Sequence, residues 1–263
     1  MPFVVSEGRS DALLRIKLLG GFDAKAGGGV RPFEKVSRKS RALLSYLAMH
    51  LDLPIEREQL ADLLWEARRD RDPRHNLRQC VMELRKSLAF CPELLVMYRD
   101  TVTLQSAFCH VDAVYLVKLA AAGCIDEAAA LYAGDLLKNF SLEVETFNAW
   151  LGVERSRLAQ TAGELFSELA RSALSSGDGR KAVAFGERLV TLDPLREDWQ
   201  RLLLQIYARF CGRNRALAHA RQMVSLLRRE LNVSPEPETL ALLDQIRQRA
   251  PSIVPAEVSE FAF

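Results

Sequence analysis

Residues 72–88 read DPRHNLRQCVMELRKSL. Asp72 followed by Pro73 marks a helix start, because an aspartate can accept a free first-turn amide and proline's fixed φ suits the first helical position. Leu77, Val81, Leu84 and Leu88 then recur at spacings of four, three and four, one apolar stripe along a helix. The other faces carry Arg74, His75, Arg78, Gln79, Met82, Arg85 and Lys86. Taken alone, such a face reads as solvated; its neighbours in the chain decide whether it faces an anionic partner.

Upstream, VSRKSRALLSYLAMHLDLP (36–54) is an amphipathic helix with Ser37 as cap, a stripe of Leu43, Leu44, Leu47 and Leu51, and Pro54 as its end. IEREQLADLLWEA (55–67) reads as a second helix with Leu60, Leu63 and Leu64 inward. Before them, Leu14, Ile16 and Leu18 alternate with Arg15 and Lys17, a strand period. Gly20-Gly21 and Gly27-Gly28-Gly29 punctuate short strands. The glycine triplet lacks the Lys-Ser/Thr of a phosphate loop and opens no helix, so a hairpin turn is expected there. Downstream, ELLVMYRDTVTLQ (93–105) is a two-strand hairpin turning at Arg99-Asp100. Strands, three helices and a hairpin spell a winged helix-turn-helix, whose third helix is the one that enters a major groove.

From about residue 112 the pattern is almost wholly helical, with helices expected at 112–122, 125–138, 143–173, 179–191, 195–210, 213–230 and 236–249. GDGRKAVAFGERLVTLDP (177–194) resembles GRNRALAHARQMVSLL (212–227), with Ala182 matching Ala216 at the 34-residue period of tetratricopeptide repeats. The expected fold is therefore mostly α: a winged helix at 14–105, a short linker near 106–111, and an all-α tetratricopeptide-like repeat at 112–249. Residues 1–13 and 250–263 are expected to be flexible tails. Trp150, Trp199, Phe147, Tyr132 and Tyr207 read as core fillers.

The 263 residues carry a net charge of +2, placed unevenly. Residues 1–105 hold 18 Lys/Arg against 14 Asp/Glu, and residues 106–263 hold 18 against 20. This points weakly to an anionic partner for the first part. Five dispersed cysteines argue against a disulfide framework or a zinc site and suit a reducing cytoplasm, and His75 has no second histidine at ligand spacing. No run of 18 apolar residues and no signal-peptide pattern is present, so no membrane association is expected. No HExxH, GxSxG or P-loop motif occurs, so neither catalysis nor a cofactor or metal is expected.

SRKSRALLSYLAMHLDLPIEREQLADLLWEARRDRDPRHNLRQCVMELRKSL, then VDAVYL, ALYAGDLLKNF, FNAWLGVERSRL and LDPLREDWQRLLLQIYARFCGRNRALAHARQMVSLLRRELNVSPEPET, resemble the SARP/AfsR-type bacterial transcriptional activators. The resemblance covers roughly residues 14–249. It implies an OmpR-like winged helix that reads repeated promoter elements in double-stranded DNA, as a homodimer or in tandem. It also implies a bacterial transcriptional activator domain that supports self-association and contact with RNA polymerase.

On that reading, bases would be read by His75, Asn76, Arg78, Gln79, Met82 and Arg85, because Arg can donate twice to guanine and Asn or Gln can pair with adenine. Phosphates would be met by Ser37, Arg38, Lys39, Ser40 and Arg41 at the start of the first helix, and by Arg57 at the start of the second. Lys86 and the hairpin residues Tyr98, Arg99, Thr101 and Thr103 would add to them. Trp65 joins the set through the resemblance, since OmpR-like proteins place an indole N–H on a phosphate at the matching position. Each of these residues also has an ordinary reading, solvated for the arginines and core for Trp65. A competing function is a helical-repeat protein–protein adaptor whose winged helix does not bind DNA; it would favour an apolar or acidic third-helix face.

Overall fold

The structure, a computed structural model, describes residues 13–66 and 72–248. It is 66% helical, with a few short strands near the N-terminus. The chain forms two compact units, Met1–Ala162 and Gly163–Phe263. The tails expected at 1–13 and 250–263 lie outside the described residues, Leu13 apart.

The first unit begins with β1 (Leu14–Lys17) antiparallel to β2 (Asp23–Ala26), with Leu14 opposite Ala26. Leu14 and Ile16 are buried and Arg15 and Lys17 exposed, as the alternation requires. Gly20 takes φ 82°, and a Cβ there would lie 3.1 Å from the Ala133 carbonyl oxygen, so both backbone freedom and space demand glycine. The run Gly27–Gly29 does form a turn, but one that ends β2 instead of joining two strands.

Next come α1 (Arg38–Met49), β3 (Ile55–Glu56), α2 (Arg57–Leu64) and α3 (Pro73–Ser87). Ser37 caps α1 by accepting from the Ser40 amide, and Asp72 caps α3 by accepting from the His75 amide. Leu77, Val81, Leu84 and Leu88 are buried, and each such side chain removed from water contributes about 1.5–3 kcal/mol. The hairpin follows as β4 (Leu95–Tyr98) and β5 (Thr101–Leu104), with sheet order β3-β5-β4. Sequence periodicity merges β3 into the second helix, because Ile55-Glu56 is too short to show a period of its own. Its pairing with Val102 and Thr101 fixes it as a strand.

The stretch expected as a linker contains β6 (Cys109–Val111), which pairs in parallel with β1 to give the order β2-β1-β6. Asp112 follows at the start of α4 (Asp112–Ala121). Its buried carboxylate accepts from the amides of Leu18 (2.8 Å), Leu19 (3.0 Å) and Ala113 (2.7 Å). α5 (Ile125–Leu131) is shorter than expected: the chain then loops with Leu137 at φ 49° and Asn139 at φ 62°, and α6 (Glu145–Ser176) follows. In this first unit, Trp150 packs edge-on against Tyr46 with ring centroids 4.9 Å apart.

The second unit contains α6 from Gly163 onward, then α7 (Gly179–Leu192), α8 (Glu197–Ile206), a π-helical turn at Tyr207–Cys211, α9 (Arg213–Glu230) and α10 (Pro237–Gln248). The starts of α7 and α9 are 34 residues apart, and Ala182 and Ala216, matched in the sequence, are both fully buried. Leu203, Leu204, Tyr207, Met223, Leu227, Leu243 and Ile246 build one core. Among the described residues, no helix is long and apolar enough to cross a membrane.

Candidate nucleic-acid interface

The stripe that buries α3 leaves its opposite face to solvent. His75, Arg78, Gln79, Met82, Arg85 and Lys86 are exposed, with Met82 at 47%, and Asn76 is half-buried. Arg74 is tied to Glu58 at 2.8 Å, but both groups are exposed, so the pair constrains little. Gln79 Nε2 lies 2.8 Å from His75 Nε2, an i,i+4 pair along the outer face. Among the described residues, Arg78, Arg85 and Lys86 have no hydrogen-bond or ion-pair partner. Arg85 and Lys86 also lie in the last turn, where the helix dipole favours cations.

Two clefts flank this helix. One, of about 650 Å³, lies between α3 and the hairpin and brings Arg57, Arg78, Tyr98, Arg99 and Thr101 together. The other, of about 770 Å³, lies on the α1 side and is lined by Ser37, Arg38, Lys39, Trp65, Asn76, Gln79, Met82 and Lys86 among others.

On the hairpin, Tyr98 is 65% exposed and the Arg99 guanidinium lies 5.2 Å from its ring centroid. Arg99 takes φ 48°, which the two-residue turn imposes. Thr101 Oγ1 donates to the Tyr98 carbonyl at 2.9 Å, while Thr103 is buried beneath the hairpin. The Arg57 amide donates to the Asp100 carbonyl at 2.8 Å, which ties the turn to the start of α2. Arg57 Nη2 reaches Met97 Sδ at 3.7 Å, and Arg57 Nε is buried with no hydrogen-bond partner among the described residues.

At the start of α1 the predicted phosphate ligands divide. Arg38 is exposed, and Lys39 sits 4.6 Å from the ring centroid of Trp65, itself buried. Arg41 is half-buried and donates to the Glu34 carbonyl at 2.8 Å. Ser37 and the fully buried Ser40 both donate hydroxyl hydrogen bonds to Glu83 of α3, and the Ser37 amide donates to it as well at 3.1 Å. Burial opposes ionisation of Glu83, but the bonds from Ser40 and Ser37 and the nearby Arg41 outweigh it and hold the pKa below the ordinary carboxylate value. Sequence reading misses Glu83, because an acid on a basic helix face carries no signal of a partner 46 residues away.

The fold is mostly helical with an N-terminal winged helix-turn-helix, and comparison with known proteins places it among others. Residues 118–247 match the family described as the Bacterial transcriptional activator domain. Mycobacterium tuberculosis EmbR, solved in complex with a low affinity phosphopeptide, has the same fold with a TM-score of 0.65 and 22% identity. That likeness covers 90% of this chain and 66% of the EmbR chain. A search of curated proteins finds no match. The match identifies residues 118–247 as a bacterial transcriptional activator domain, and the likeness to EmbR shows the fold.

Proposed function

We propose that the chain is a sequence-specific activator that seats α3 in the major groove of double-stranded promoter DNA and lays its hairpin on the flanking backbone. The observation that carries this reading is the outer face of α3: Arg78, Arg85 and Lys86 stand exposed and unpartnered among the described residues, between two clefts whose edges carry further cations. These are Arg57, Arg74 and Arg99 beside Glu56, Glu58 and Asp100 on one side, and Arg38 and Lys39 beside Glu83 on the other. A solvated helix has no need of such flanks, whereas a duplex presents phosphates on both sides of the groove it opens. His75, Asn76, Arg78, Gln79, Met82 and Arg85 face the bases in this reading. Arg38, Lys39, Arg57, Lys86, Tyr98, Arg99 and Thr101 meet phosphates, while the Trp65 indole, buried beneath Lys39, supports that cation from behind and is not itself a phosphate ligand. Ser37, Ser40, Arg41 and Thr103, engaged or buried, hold that surface in shape from behind.

By extension from activators of this type, the tetratricopeptide-like helical part self-associates and contacts RNA polymerase. The chain then acts in the cytoplasm as a homodimer on repeated promoter elements. The test is duplex binding at a series of salt concentrations. Lys86→Ala and Arg99→Ala should each make the logarithmic salt slope shallower by about 1, across all sequences. Arg78→Ala should instead relax preference at one position of a selected site, at a cost of about 1–3 kcal/mol. Affinity that stays flat with salt and indifferent to both lysine and arginine replacements would sink the reading.

A further inference from the structure

A segment of the first unit that belongs to the activator-domain match grips the edge of the proposed DNA surface. Arg155, on α6, gathers three backbone carbonyls: Nε donates to Leu136 at 2.8 Å, and Nη2 donates to Leu137 at 2.7 Å and to Phe140 at 3.2 Å. The loop it holds contains two residues in the left-handed region, Leu137 and Asn139, a conformation that persists only when surroundings impose it. The same loop is pinned to the N-terminal strand region, where the Leu137 amide donates to the Leu18 carbonyl at 2.7 Å. At its end, the Ser141 carbonyl accepts from Arg38 Nη2 at 2.8 Å, and the Phe140 ring centroid lies 5.5 Å from the Arg38 guanidinium carbon.

Arg38 is therefore an exposed cation whose direction is set from outside the winged helix. The bond to Ser141 uses one N–H group of the guanidinium and leaves the others for a second acceptor. A free arginine must give up many rotamers to meet a phosphate; one already held gives up few. Thr146, in the first turn of α6, works on the neighbouring edge: its hydroxyl donates to the Asp62 and Leu63 carbonyls at the end of α2, just before Trp65.

We infer that Arg155 is a positioning residue for DNA binding: through the 136–141 loop it holds Arg38 where a phosphate oxygen can meet it. This rests on the function proposed above, so the experiment separates the two. The full-length chain and its Arg38→Ala, Arg155→Met and doubly substituted forms are titrated with a short random-sequence DNA duplex at several salt concentrations. Such a duplex reports phosphate contacts without a known operator. Arg155→Met should weaken binding roughly three- to tenfold, with a shallower salt slope, and should have no further effect once Arg38 is alanine.

An equal loss in the Arg38→Ala background would overturn the inference, since Arg155 would then act through something else. A purely structural role for Arg155 gives that additive result. If Arg155→Met no longer folds at the titration temperature, Arg155→Lys, which keeps the charge but not the planar fork that reaches three carbonyls, replaces it in the same cycle, with the same two outcomes. Steep salt dependence with an additive cycle defeats this inference alone; absence of salt dependence in the unaltered chain defeats both readings.

Discussion

Two acids show how single residues set this structure, with opposite signs. Glu83 accepts from the Ser37 amide and from both serine hydroxyls at the start of α1, and its pKa lies below the ordinary carboxylate value. Such a group stabilises the fold fully above the ordinary carboxylate range, and the contribution is lost as pH falls through and below it. Glu83→Gln should cost about 1–2 kcal/mol near neutral pH, since bonds to a charged acceptor are replaced by weaker ones on a partly exposed site. The stability gap between the two chains should close as pH falls from about 7 toward about 3, followed by urea unfolding. A gap that widens on acidification would refute the assignment. Asp112 differs: burial raises its pKa despite three amide donors, so the cost of keeping it charged is relieved, not increased, as pH drops. Neither role is visible in the sequence, where Glu83 and Asp112 look like any acid on a helix.

At the scale of elements, α6 offers an internal comparison. Gly152 is exposed and a Cβ there would meet nothing within 4 Å, whereas at Gly163 it would collide with the Trp199 ring. Alanine is the better helix former by about 1 kcal/mol at either site. At Gly163 overpacking against the buried indole outweighs that gain, at about 1–3 kcal/mol. Gly152→Ala should therefore raise the melting temperature and Gly163→Ala lower it, a sign difference that calorimetry reads directly. Equal shifts would mean that Trp199 yields freely. α3 shows which side of the problem sequence solves well. Asp72, Pro73 and the stripe from Leu77 to Leu88 lie within one helix, so cap, start and buried face were all legible from spacing. α5 shows the reverse, because apolar residues up to position 138 suggest helix where backbone ties to Leu18 and Arg155 pull the chain into a loop.

For the molecule as a whole, the sheet β2-β1-β6 matters most. β1 takes its parallel neighbour from residues 109–111, and the amides of Leu18 and Leu19 take their acceptor from Asp112. A fragment ending at residue 105 would retain every element of the winged helix yet leave β1 without one neighbour and two amides without their carboxylate. We expect it to unfold without a cooperative transition, while a fragment ending at residue 162 unfolds cooperatively, as followed by circular dichroism. A sharp, equally stable transition in the shorter fragment would show that the strand pairing is dispensable.

The sequence by itself determined the helical periods, the winged-helix order, the basic outer face of α3 and the helical second half. Each of these is written in residues a few positions apart, where spacing alone fixes which side of an element is buried. Only the tertiary structure decided β3 and β6, the clasp of Glu83 on α1, the hold of Arg155 on the 136–141 loop and the bond between Ser141 and Arg38. Leu18 and Asp112 are 94 positions apart, and Arg38 and Ser141 are 103. Contacts at that range leave no local period, because what joins them is the packing of whole elements and the need of each buried polar group for a partner.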